Sequence, residues 1–99
     1  MDLELKGKNA IVTGGSKGIG KAIARELAKE GVNIVIVARN KNLLDATAKQ
    51  LSEETNQKII PVICDTGDSE AVTKMVNRAI ENLNSIDILV NCAARPLGQ

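Results

Sequence analysis

Residues Asn9 to Gly20 read NAIVTGGSKGIG, a short apolar run at Asn9 to Thr13 that ends in the glycine cluster Gly14, Gly15, Gly18 and Gly20. The run reads as a strand and the cluster as a turn. From Gly18 to Glu30 the apolar residues Ile19, Ala22, Ile23 and Leu27 recur at helical spacing, and Gly31 supplies a C-terminal stop. Strand, glycine turn and helix follow one another with no linker between them.

Outward from that unit the period keeps alternating. Asn33 to Ala38 (NIVIVA) is an almost unbroken β-branched run, which a parallel strand covered on both faces requires. Asn40 or Asn42 can cap a second helix running to about Glu54, with Leu43, Leu44, Thr47, Ala48 and Leu51 on its inner face. A third strand, Lys58 to Cys64, contains Pro61, and proline cannot donate to an interior ladder, so this strand belongs at a sheet edge. Asp68 or Ser69 can cap a third helix carrying Val72, Met75, Val76, Ala79, Ile80 and Leu83 at i, i+3, i+4 spacing. Ile86 to Asn91 (IDILVN) gives a fourth strand, followed by Cys92, Ala93 and Ala94. The βαβαβαβ pattern predicts an α/β fold: a doubly wound parallel sheet of order 3-2-1-4 in three α/β/α layers, with any ligand at the C-terminal ends of the strands.

Composition narrows the chemistry. At 99 residues the chain has room for one core, burying about 60 to 65% of its unfolded surface, so residues 1–99 are expected to be one domain. Hydrophobic residues at 43% and charged residues at 25% are ordinary globular values. There is no Phe, Tyr, Trp or His, which removes acid–base work by His or Tyr. A net charge of +1 and no aromatic platform argue against nucleic acid as a partner. No apolar run reaches the roughly 18 residues of a membrane span, and MDLELKGK is no signal peptide, so no membrane partner and a cytoplasmic location are expected. Cys64 and Cys92 lack metal-site spacing and read as two buried thiols; three strand spacings, roughly 14 Å, would keep them from forming a disulfide. No metal is expected.

The glycines of TGGSKGIG stand at 14, 18 and 20, a GxxxGxG spacing. Glycine allows positive φ in a tight turn and lets backbone N–H groups approach a pyrophosphate, while a helix starting near Gly18 aims its positive end at the anion. Lys17 and Lys21 fall at or inside the first helical turn, where the macrodipole disfavours cations; Lys17 suits a phosphate contact, and Lys21 reads as a solvated surface lysine. Where an acidic residue after the second strand would hold the ribose of NAD, this chain offers Ala38, Arg39 and Asn40. With no carboxylate to repel a 2′-phosphate and Arg39 able to fork onto it, NADP(H) is expected in preference to NAD(H), and Asn40 joins the cofactor-binding candidates.

These stretches, TGGSKGIG, VARN, CDTGD and VNCAA, each following a strand, resemble the short-chain dehydrogenase/reductase family over essentially the whole chain. The resemblance implies a Rossmann-type fold and hydride transfer between a nicotinamide and a small alcohol or carbonyl substrate, with 3-oxoacyl carrier-protein reductase one such activity and a homo-oligomeric parent enzyme. It places Gly14, Ser16, Lys17, Gly18, Ile19 and Gly20 in the cofactor loop and Arg39 at the NADP-selecting position. It puts Asp65 and Thr66 beside the adenine, with Asp65 accepting from the adenine amino group, although the residue type itself equally fits a turn or cap before the third helix. Asn91, Ala93 and Ala94 match the family's NNAG segment, where Asn91 also braces the sheet; the chain departs from it at Cys92 and Ala94. The family's Ser, Tyr and Lys set, with YxxxK spacing, has no counterpart, and with no tyrosine the 99 residues read as the inactive cofactor-binding front part of a longer enzyme. A non-catalytic nucleotide-binding or interaction module is the alternative. As a piece of that fold the chain should leave its fourth strand as an exposed parallel edge.

Overall fold

Seven elements follow the sequence in strict alternation in a computed structural model that describes residues 4–65 and 67–92: β1 (Asn9–Thr13), α1 (Gly18–Lys29), β2 (Asn33–Ala38), α2 (Lys41–Thr55), β3 (Ile59–Ile63), α3 (Ser69–Leu83) and β4 (Ile88–Asn91). All pairings are parallel and the sheet order is β3-β2-β1-β4, as the pattern predicts. Asn9 lies level with Asn33, and Pro61 lies opposite Ile36 on the outermost strand, where its missing N–H disturbs no second neighbour. β3 and β4 are shorter than their apolar runs: Lys58, Cys64, Ile86 and Asp87 lie outside the strands.

Alternation along β1 and β2 divides the core in two. Ala10, Val12, Ile34 and Ile36 face α1 and α2, where Ala24, Ala28, Leu44, Ala48 and Leu51 meet them. Ile11, Val35 and Val37 face α3, against Met75, Ala79 and Leu83. β2 is fully covered on both faces from Ile34 to Val37, and each such aliphatic side chain contributes about 1.5–3 kcal/mol of burial. This strand anchors the fold.

The helices depart from the sequence expectation in which residues face inward. α1 buries Gly20, Ala24 and Ala28, not Ile19 and Ala22; Ile19 is 75% exposed. An i, i+4 stripe of small residues lets α1 lie close to the sheet, and that close approach rotates Ile19 out of the core. Leu43 and Ile80 are likewise exposed, one residue off the stripes that bury Leu44 and Ala79. Asn40 caps α2, its Oδ1 accepting from Leu43 N at 3.0 Å, and Asp68 caps α3, its Oδ1 accepting from Glu70 N at 3.0 Å. β4 pairs only with β1 among the described residues, and Leu89 is 68% exposed beside that open edge. No described helix is long and apolar enough to cross a membrane.

Candidate functional site

A cleft of about 600 Å³ opens at the C-terminal ends of the strands, between the β1–α1 turn and the end of β2. Clefts of this size hold nucleotide-sized ligands. The turn contributes Gly14, Ser16, Lys17, Gly18, Ile19 and Gly20, and the strand end contributes Val37, Ala38, Arg39 and Asn40. Leu43, Cys64 and Cys92 complete the wall.

Local geometry explains the glycines. Gly18 has φ +60° and Gly14 has φ +71°, the left-handed region that a β-branched residue strongly resists. Gly20 is required by contact: a Cβ there would sit against the Gly14 carbonyl carbon at 2.7 Å and Gly15 Cα at 3.2 Å. A Cβ at Gly18 would meet nothing within 4 Å, so only its backbone angle and its place in the cleft constrain it.

The turn does not leave all of its amides open. Gly14 N donates to Val37 O at 2.7 Å and Gly15 N to the same oxygen at 3.4 Å, which ties the start of the turn to β2. The amides of Ser16, Lys17, Gly18, Ile19 and Gly20 find no acceptor among the described residues. Lys17, the N-cap of α1, makes no side-chain cap, and the first turn carries no acidic residue. α1 therefore presents a bare, positively polarised end to the cleft. Lys17 and Arg39 are exposed on the same wall, and no carboxylate lines it among the described residues. Unpaired amides, a helix N-terminus and two cations fit a diphosphate.

Lys21 takes no part in the cleft. Its Nζ donates to Gln50 Oε1 at 2.9 Å, and one turn on Arg25 Nε donates to Glu54 Oε2 at 2.8 Å, so these side chains stitch α1 to α2. Asp65 stands next to the wall residue Cys64, and its Oδ1 accepts from Gly67 N at 2.9 Å, the turn role that its residue type predicts. Asn91 stands at the end of β4, where its Oδ1 accepts from Thr13 Oγ1 at 2.8 Å and so braces β4 against β1. Thr66, Ala93 and Ala94 lie outside the described residues.

The two cysteines differ. Cys64 is buried, and desolvation, followed by the nearby carboxylates of Asp65 and Asp68, pushes its thiol above the usual range, an inert setting. Cys92 is half-buried, not buried as the sequence reading held, because it follows the last residue of the edge strand. Ala38 lies in the wall beside Arg39 and Asn40, where the sequence reading put it, whereas periodicity gave no signal for Val37 and set Leu43 on the inner face of α2; the outward rotation of α2's first turn delivers Leu43 to the wall.

A family model described as short chain dehydrogenase matches residues 8–99. The uncharacterized oxidoreductase YhxC of Bacillus subtilis is 43% identical over 91 residues, covering 92% of this chain and 32% of that protein. L-Sorbose reductase from Gluconobacter frateurii, solved with NADPH and L-sorbose, superimposes with a TM-score of 0.94 at 38% identity, covering 100% of this chain and 38% of that one. NAD+-bound xylitol dehydrogenase superimposes with a TM-score of 0.83 at 30% identity over 87% of this chain and 33% of its own length. The chain spans about a third of the length of such relatives.

Proposed function

The chain belongs to the short-chain dehydrogenase family, and on that premise we propose that residues 1–99 form its NADP(H)-binding part, serving hydride transfer between the nicotinamide and a small alcohol or carbonyl. One observation carries this reading: the run of unpaired amides from Ser16 to Gly20 opens into a cleft that also holds Lys17 and Arg39 and, among the described residues, no carboxylate. In this reading the amides and the α1 N-terminus take the diphosphate. Arg39 takes the 2′-phosphate, with Asn40 beside it; by the family resemblance Asp65 and Thr66 serve the adenine, and Asn91, Ala93 and Ala94 belong to the segment beside the cofactor. The cofactor would supply the hydride, and these residues would bind and orient it. Proton transfer would fall to a segment with the family's Ser, Tyr and Lys, because this stretch contains neither Tyr nor His. A relative solved with NADPH supports the cofactor class; a relative solved with NAD+ makes Arg39 the residue to test.

Calorimetric titration with NADPH and NADH provides that test. NADPH is expected to bind more tightly, and Arg39→Ala should weaken NADPH about 10- to 100-fold, as loss of a charge-assisted contact does, while leaving NADH unchanged. Adding Ala38→Asp should turn the preference toward NADH. Equal losses for both nucleotides would remove Arg39 from the 2′-phosphate role, and no binding of either would end the dinucleotide reading. Joined to a segment bearing the Ser and YxxxK set, the chain should oxidise NADPH with a ketone; binding without turnover there would favour a nucleotide-sensing module.

A further inference from the structure

We propose that Thr47 on α2 is a positioning residue for the phosphate-binding turn, acting by holding the Ser16 carbonyl so that the Lys17 amide faces the cleft. The inference rests on the dinucleotide reading above and adds a residue that the cleft wall does not contain.

Three threonines lie within or at the end of helices, and they behave differently. Thr55 Oγ1 donates to Leu51 O at 2.7 Å and Thr73 Oγ1 to Ser69 O at 3.1 Å, each bonding back four residues within its own helix. Thr47 Oγ1 instead donates to Ser16 O at 2.8 Å, across 31 residues of sequence, from a side chain only 3% exposed. Its neighbours on that stripe are Leu44, Ala48 and Leu51, all buried. In such surroundings neither a hydroxyl nor a carbonyl is tolerated without a partner, so each fixes the other.

The consequence follows from the planarity of the peptide unit. In a trans peptide the carbonyl and the next N–H point in opposite directions. With the Ser16 carbonyl drawn into the core by Thr47, the Lys17 N–H points away from it, toward the open side of the turn. That amide has no acceptor among the described residues. Were the Ser16–Lys17 plane to turn over, it would present a carbonyl oxygen to the cleft and repel an anion. Thr47 thus sets the sign of the dipole that a phosphate oxygen meets, without touching the ligand. The Gly14 and Gly15 amides, both bound to Val37 O, fix the preceding peptides from β2 in the same way.

The test compares Thr47→Val, which keeps the shape and removes the hydroxyl, with Thr47→Ser, which keeps the hydroxyl. NADPH affinity is measured well below the melting temperature of every variant. Thr47→Val should bind NADPH at least about tenfold more weakly and Thr47→Ser within about threefold of the unaltered chain, and only Thr47→Val should lose the NADPH-induced shift of the Lys17 amide resonance. If NADH and NADPH weaken together, the amide serves the diphosphate; if NADPH alone weakens, it serves the 2′-phosphate; both support the proposal. A Thr47→Val chain that melts lower yet binds NADPH as tightly as the unaltered one would make Thr47 a core residue only and overturn the inference. If the unaltered chain fails to bind NADPH, the dinucleotide reading falls and takes this inference with it.

Discussion

At the N-terminal end of the sheet, Asn9 Nδ2 donates to Leu83 O at 2.9 Å, Asn33 Nδ2 to Asn9 Oδ1 at 3.1 Å and Gln57 Nε2 to Asn33 Oδ1 at 3.3 Å, a polar ladder across three strand starts. Asp87 closes it, its Oδ2 accepting from Asn9 N at 2.9 Å while its own N donates to Asn9 O at 2.8 Å. At the C-terminal end, Val37 O and Thr47 hold the turn in place, but the amides from Ser16 to Gly20, with Lys17 and Arg39, are left without partners among the described residues. Both ends are made of strand termini and short polar segments. One end satisfies its polar groups internally and so contributes to stability; the other is held rigid from behind and left unsatisfied in front, which is how a binding surface is preorganised.

Changes at the open end should separate turn packing from ligand contact. Gly20→Val should have the largest effect, since its side chain meets Gly14 and Gly15 backbone: about 3 kcal/mol or more of stability lost in urea denaturation, and no NADPH binding. At Gly18 an added Cβ meets no neighbour, so Gly18→Val should cost less, about 1–3 kcal/mol for the strained φ, yet NADPH affinity should fall at least about 100-fold. A Gly18→Val chain that binds NADPH normally would remove Gly18 from the site. Asn9→Leu should cost about 1–3 kcal/mol by leaving Leu83 O and Asn33 Nδ2 without a partner. It should leave NADPH affinity unchanged at temperatures where it is folded, and a parallel loss of affinity would break the division between the two ends.

The smallest expected effect lies between them, on the outer face of α1 and α2. The hydrogen bond from Arg25, then that from Gln50, holds the Glu54 carboxyl below its usual range. A lowered folded-state value contributes stability that is present above the unfolded value and lost as pH falls through the folded one. Glu54→Gln should therefore flatten only a small part of the acid limb in melts run from neutral pH downward, because the pair is partly solvent-exposed and screened. A large change in that limb would mean that the helix pair is more tightly coupled than its exposure allows.

The fold was readable because its signals are local: the glycine turn after NAIVT, the aliphatic run NIVIVA, and Pro61, whose missing donor assigns β3 to an edge. Which side of each helix faces the sheet was less readable. A residue step turns a helix by about 100°, so Ile19 and Leu43 satisfy an apolar period yet point into the cleft, while Gly20, Ala24 and Ala28 carry the true contact. The Asn9–Asn33–Gln57 ladder and the Thr47–Ser16 bond were invisible, since they join residues 24 to 31 apart and no spacing rule links them. Of the candidate site residues, those of the turn and of the β2 end line one cleft, whereas Asp65 and Asn91 stand beside its wall in turn and bracing contacts.

Amide hydrogen exchange on the 99-residue chain, with and without saturating NADPH, addresses the unpaired amides most directly. Gly14, whose amide is bound to Val37 O, and Asn33, whose amide is bound to Lys8 O, should exchange slowly in both conditions. The amides from Ser16 to Gly20 should exchange fast in the free chain and slow down when NADPH is added. Protection of those amides before any nucleotide is present, or fast exchange that persists at saturation, would contradict the assignment of this turn to the dinucleotide.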